Sequence, residues 1–175
     1  MKTLSEKLAL LKLRDLKDDF RRSVRENYEH RAKDCGTCET QGACCTDAHF
    51  VNVRITRLEA VLIDGELQKF PAEKQRLIEE RIAAAVEEYD LNGEGDTFQQ
   101  TYACPLFEKG TGCLIHAVKP VPCIQHACYE RAEDLPPDEL QIEAETKIEK
   151  LDRQTYRKPA RWLPLPLFLK TIEPD

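Results

Sequence analysis

Eight cysteines fall in two runs of four in this 175-residue chain, and they constrain what it can become more than any other feature. The first run is Cys35-x2-Cys38-x5-Cys44-Cys45, and the second is Cys104-x8-Cys113-x9-Cys123-x4-Cys128. What so much sulfur does depends on the compartment. The N-terminal stretch MKTLSEKLALLKLRDLKDD has Leu8 to Leu11 as its longest uncharged apolar run, too short for a signal-peptide core. No stretch approaches a membrane span. The expectation is a cytoplasmic, reducing setting, where clustered thiols are metal ligands or redox groups more often than structural disulfides.

The spacings carry the chemistry. A C-x2-C turn sets two thiolates on one side of a tight loop, close enough for one metal centre. Gly36 and Gly42 let the backbone bend and bring N–H groups to sulfur, which stabilises thiolate charge and tunes iron–sulfur potentials. In the second run Pro105 follows the first cysteine, Pro122 precedes the third, and Gly110 and Gly112 turn the chain back toward Cys113. Each run has the four sulfurs of a zinc site or a cubane cluster, so Cys35, Cys38, Cys44, Cys45, Cys104, Cys113, Cys123 and Cys128 are all candidate ligands. Adjacent Cys44 and Cys45 tend to point apart. Either the two runs meet and share ligands, or one of that pair stands behind the ligands or serves as an exchange thiol. His116 and His126 each complete a C-x2-H step and could replace a cysteine, although the sulfur suffices without them. His30 and His49 have weaker claims. One tidy C-x2-C pair, irregular spacing and flanking prolines favour an iron–sulfur cluster, of the [4Fe–4S] type, over zinc. A thioredoxin-like site needs its C-x2-C between strand and helix, and a cysteine nucleophile needs one distinguished thiol. Neither pattern is met.

Periodicity places these loops among helices. Leu4, Leu8, Leu11, Leu16, Phe20, Val24 and Tyr28 predict a helix over 3–33 with that set as its apolar stripe. Residues 34–50 read as a loop, and Val51, Val53 and Ile55 as a short extended piece. Thr56 with Glu59 forms a capping-box pattern for a helix over 57–68. Pro71 opens a helix over 72–90, which Asn92-Gly93 stops. Residues 97–103 read as extended, and 138–156 as a further helix closed by Pro159. Pro164 and Pro166 argue against a helix in the tail, leaving an extended strap over 162–168 that packs on the domain or docks a protein partner. The net charge is −6. Arg21, Arg22, Arg25, Arg31 and Lys33 are interleaved with Asp18, Asp19, Glu26, Glu29 and Asp34, which describes a solvated helix face rather than a nucleic-acid surface. Neither nucleic acid nor membrane is an expected partner.

The segment CPLFEKGTGCLIHAVKPVPCIQHAC resembles the downstream half of the YkgJ-like cysteine-cluster family, known by a C-x2-C-x2-C-C signature. Cys104-Pro105-Leu106, Gly112-Cys113-Leu114-Ile115 and Pro120-x2-Cys123 carry the resemblance, together with the extended piece before Thr56 and Glu59. It spans about residues 35–128. Five residues precede Cys44-Cys45 where the signature has two. His116 stands where Tyr is usual, and Lys119 and Ile124 where Arg is usual. The resemblance implies iron or zinc chelation. A similar cysteine domain occurs in flagellin lysine-methylating proteins, but no methyl-donor motif is visible here.

The expected architecture is one mainly α domain of about four helices around a cysteine-rich loop site, with little strand. Its parts are an N-terminal helix (1–34), a cysteine-cluster region (35–130) and a C-terminal helix and strap (131–175). The expected function is chelation of iron, as a cluster, or of zinc. The alternatives are a cluster-dependent redox or modifying enzyme and a zinc-stabilised interaction module.

Overall fold

Ser5 ends the extended N-terminal residues by accepting the Leu8 amide on its hydroxyl at 3.4 Å, and the first long helix begins there. The computed structural model describes residues 3–33 and 40–172. Helix makes up 59% of these residues and strand 7%, the mainly α architecture expected. The chain divides into two compact units, each built from two segments: Met1–Gln41 with Lys119–Ala160, and Gly42–Val118 with Arg161–Asp175. These boundaries differ from the expected 1–34, 35–130 and 131–175.

The first unit is organised by α1 (Glu6–Asn27), α5 (Val121–Gln125) and α6 (Asp138–Tyr156), which pack on one another. The buried face of α1 is Ala9, Leu13, Lys17 and Val24, whereas Leu8 and Leu11 are 44% and 53% exposed. The expected stripe is therefore corrected in its N-terminal half. At about 100° per residue, Leu8 and Leu11 lie roughly half a turn from Leu13 and Val24. Ala144, Ile148 and Asp152 form the buried face of α6. The two helices are clasped at their ends: the Tyr156 hydroxyl donates to Glu6 at 2.6 Å, and the Leu4 amide to the Gln154 carbonyl at 3.3 Å. After α1 the chain makes a 3-10 turn (Glu29–Arg31) and enters β1 (Ala32–Lys33). This pairs antiparallel with β5 (Cys128–Tyr129), setting Lys33 opposite Cys128.

The second unit holds α2 (Ala43–Thr46), β2 (Arg54–Ile55), α3 (Arg57–Leu67), α4 (Ala72–Glu88), β3 (Phe107–Glu108), β4 (Gly112–Cys113), β6 (Leu163–Pro164) and α7 (Leu165–Thr171). The capping box at α3 forms as its residues dictate: Thr56 Oγ1 accepts the Glu59 amide at 3.4 Å, and Glu59 Oε2 accepts the Thr56 amide at 3.2 Å. Residues 51–55 are the spine of this unit. The Val51 carbonyl accepts the Tyr102 amide at 2.9 Å and the Val53 carbonyl accepts the Leu165 amide at 3.0 Å, while β2 pairs antiparallel with β6. Ile55, Leu58, Ile63, Ile78, Tyr102, Leu106 and Leu165 fill its core.

Three local expectations are corrected. Residues 43–46 of the expected loop form the turn of helix α2. Thr97–Gln99 is a 3-10 turn rather than an extended piece, started by Asp96, whose carboxylate accepts the Phe98 amide at 3.0 Å. The tail does form a helix, α7: Pro166 sits in its first turn, where a missing N–H removes no helical hydrogen bond. The strap is folded into this unit, with Leu163, Pro164, Leu165 and Pro166 buried, so those four side chains are not offered to a partner. No helix of the described residues is long and apolar enough to cross a membrane.

Candidate metal centre

Cys104 opens a turn held by backbone hydrogen bonds. Its amide donates to the Cys45 carbonyl at 2.7 Å, which ties the second cysteine run to the first within one unit. Pro105 and Leu106 are buried and anchor the turn that follows. The turn closes with the Phe107 amide 3.3 Å from the Cys104 carbonyl.

The chain then reverses through a short hairpin. Gly110 (φ 84°) and Gly112 (φ 94°) take the left-handed conformations the reversal needs. Phe107 pairs with Cys113 and Glu108 with Gly112, and the Leu114 amide returns to the Leu106 carbonyl at 2.9 Å. This register sets Cys113 near enough to act electrostatically on the Cys104 sulfur. Burial pushes the Cys104 thiol up to about 11, with the neighbouring Cys113 adding to the rise. The backbone of Leu106 and Phe107 and the Arg81 guanidinium work in the opposite direction.

Cys44 and Cys45 reach the same neighbourhood on α2. Gly42 caps this helix with φ 81°, and a Cβ there would overlap the Phe107 ring. The ring thus seats directly on the backbone that begins α2, and only glycine admits it. From α4, Arg81 donates through Nη2 to the carbonyls of Pro105 and, at 2.6 Å, Phe107. Lys74 pairs with Glu108 at 2.9 Å. Sequence reasoning missed Arg81 and Lys74, which look like ordinary solvated charges on an amphipathic helix. The available signal was that Arg81 borders the buried stripe Ile78, Ile82 and Ala85.

The structure divides the two cysteine runs between the units. Cys44, Cys45, Cys104 and Cys113 belong to the second unit, and Cys123 and Cys128, on α5 and β5, to the first. Cys35 and Cys38 lie outside the described residues. All six described cysteines are half-buried, and no disulfide joins any of them to another. Cys104 and Cys113 are brought together, with the Cys45 backbone beside them. Among the described residues no three His, Cys, Asp or Glu side chains converge as a metal-binding group. His30, His49, His116 and His126 are exposed. For a thiolate-bound metal, then, the Cys104–Cys113 turn fits in donor chemistry, while a complete ligand set is not assembled from the described residues alone.

Compared with protein-family models, curated proteins and solved structures, the chain matches none.

Proposed function

We propose that this protein chelates iron, as an iron–sulfur cluster, or zinc, through thiolates drawn from its eight cysteines. The observation that carries the reading is the hairpin that follows Cys104, which returns a second cysteine, Cys113, to the turn that Cys104 opens. A thiol kept only for packing needs no second thiol returned to it. Cys104 and Cys113 would hold the metal from the hairpin, and Cys44 or Cys45 could add to them from α2. The remaining cysteines, and the resemblance of 35–128 to the YkgJ-like family, extend the reading to all eight. A bound metal would supply charge neutralisation of the thiolates and, if it is an iron–sulfur cluster, electron storage. The protein's own part is to hold sulfur and shield it.

The test is anaerobic purification followed by iron, zinc and sulfide analysis and a visible spectrum. Iron with equimolar acid-labile sulfide and a brown, reducible chromophore would identify a cluster; stoichiometric zinc in a colourless protein would identify zinc. Cys104→Ser and Cys113→Ser should each lower metal content, as should Cys38→Ser and Cys123→Ser. Wild-type protein devoid of both metals after iron and zinc supplementation, or full metal in every variant, would overturn the proposal.

A further inference from the structure

Arg81 is a half-buried guanidinium on α4 whose hydrogen bonds go to two main-chain carbonyls, Pro105 and Phe107. Among the described residues no carboxylate pairs with it. This is unusual company for arginine, because a partly desolvated cation is ordinarily balanced by an anion. Seven residues earlier, Lys74 reaches the same hairpin but is neutralised by Glu108 at 2.9 Å. The positive charge of Arg81 is instead left facing the turn that Cys104 opens. The two carbonyls it holds flank Leu106, where the chain from Cys104 enters the hairpin that returns to Cys113. Fixing both fixes the course of the backbone that leaves Cys104.

We propose that Arg81 is a positioning residue for a thiolate metal centre, locking the Cys104 turn through two carbonyls and supplying the counter-charge that the anionic sulfurs require. This rests on the metal reading above and adds a residue that reading does not contain. A fork-shaped guanidinium can span two carbonyls and stay charged at any working pH, whereas a lysine ammonium offers a single point of charge. Groups standing behind metal ligands in this way typically change affinity by about 10- to 100-fold when removed.

The experiment uses the full-length chain as anaerobic apoprotein, in wild-type, Arg81→Met, Arg81→Lys and Lys74→Met forms. Each is titrated with Co2+, whose sulfur charge-transfer absorption reports thiolate ligation, and competed with Zn2+ across pH. Each is also reconstituted with iron and sulfide. Arg81→Met should weaken Co2+ binding at least about tenfold and move half-loading to higher pH, since the thiols lose their counter-charge. If a cluster assembles, its reduction potential should fall, because the reduced, more negative state loses a stabilising cation. Arg81→Lys should recover the charge-dependent part, the pH midpoint or potential, but not the full affinity. Lys74→Met should change little. Should Arg81→Met not fold by circular dichroism, Arg81→Lys and Arg81→Gln carry the same comparison. Wild-type loading with unaltered affinity, pH midpoint and potential in the folded Arg81 variants would overturn this proposal alone. Wild-type protein taking up neither Co2+ nor a cluster would overturn the metal reading, and this with it.

Discussion

At the residue scale, Cys104 sets a testable pH dependence. Its thiol is raised from an ordinary value near 9.0 to about 11, chiefly by burial. Between those values the unfolded chain releases this proton and the folded chain keeps it. Stability from this group is therefore fully present below about pH 9 and is lost as pH rises through 11, by at most about 2–3 kcal/mol. In metal-free protein, urea melts from pH 8 to pH 11 should show a steeper alkaline loss for wild type than for Cys104→Ala; parallel curves would refute the assignment. A metal ligand must be deprotonated, so the same burial makes loading tighten with pH. Gly42 makes a second residue-level prediction. Gly42→Ala meets two costs: a left-handed φ that Ala disfavours, worth about 1 kcal/mol, and a Cβ overlapping the Phe107 ring. The ring tip can swing, so the second cost should shrink in Phe107→Leu. A double-mutant cycle should show coupling of about 0.5 kcal/mol or more between the two sites, and strict additivity would show that the overlap is relieved in some other way.

At the element scale, the capping box of α3 is buried on both sides, with Thr56 and Glu59 at 0% and 1% exposure. Losing it therefore uncovers amides that water cannot reach. Thr56→Ala should cost about 1–2 kcal/mol in chemical denaturation, and Glu59→Gln less than Glu59→Ala, because the amide oxygen can still accept the Thr56 N–H. This element was legible because its signal is local: the cap, the box and the helix all lie within a dozen residues. The same holds for α6, whose expected span of 138–156 is the observed one. Elements decided by distant partners were not legible. Leu8 and Leu11 look like members of the α1 stripe, yet the face that α5 and α6 cover is the one carrying Ala9, Leu13 and Lys17. Pro164 and Pro166 read as helix breakers, but a helix that begins at Leu165 places them at its cap and first turn, where proline is harmless. For the candidate site, spacing singled out the cysteines, and Gly110 and Gly112 signalled the reversal before Cys113. That Arg81 grips the turn after Cys104 depends on α4 packing beside the hairpin, and no local pattern encodes that.

At the scale of the whole molecule, neither compact unit is a contiguous stretch of chain. The backbone passes from one unit to the other at 41/42, at 118/119 and at 160/161. The second unit needs the returning segment: Leu163 pairs with Ile55, the Leu165 amide fills the Val53 carbonyl, and α7 packs on α3 and α4. Burying Leu163 and Leu165 is worth about 1.5–3 kcal/mol each, a large share of the 5–15 kcal/mol typical of a whole domain. Fragment 42–118 contains Cys44, Cys45, Cys104 and Cys113, and a reading based on cysteine runs would take it as most of the metal-binding module. It should nevertheless fail to fold by itself, giving low helicity in circular dichroism and no cooperative melt. Adding a peptide of residues 161–175 should restore helicity saturably, because the peptide supplies the β6 partner and the apolar face of α7. A Leu165→Asp version of the peptide should not, since it buries an unpaired carboxylate. Cooperative unfolding of 42–118 without the peptide would mean that the strap decorates a finished core rather than completing it.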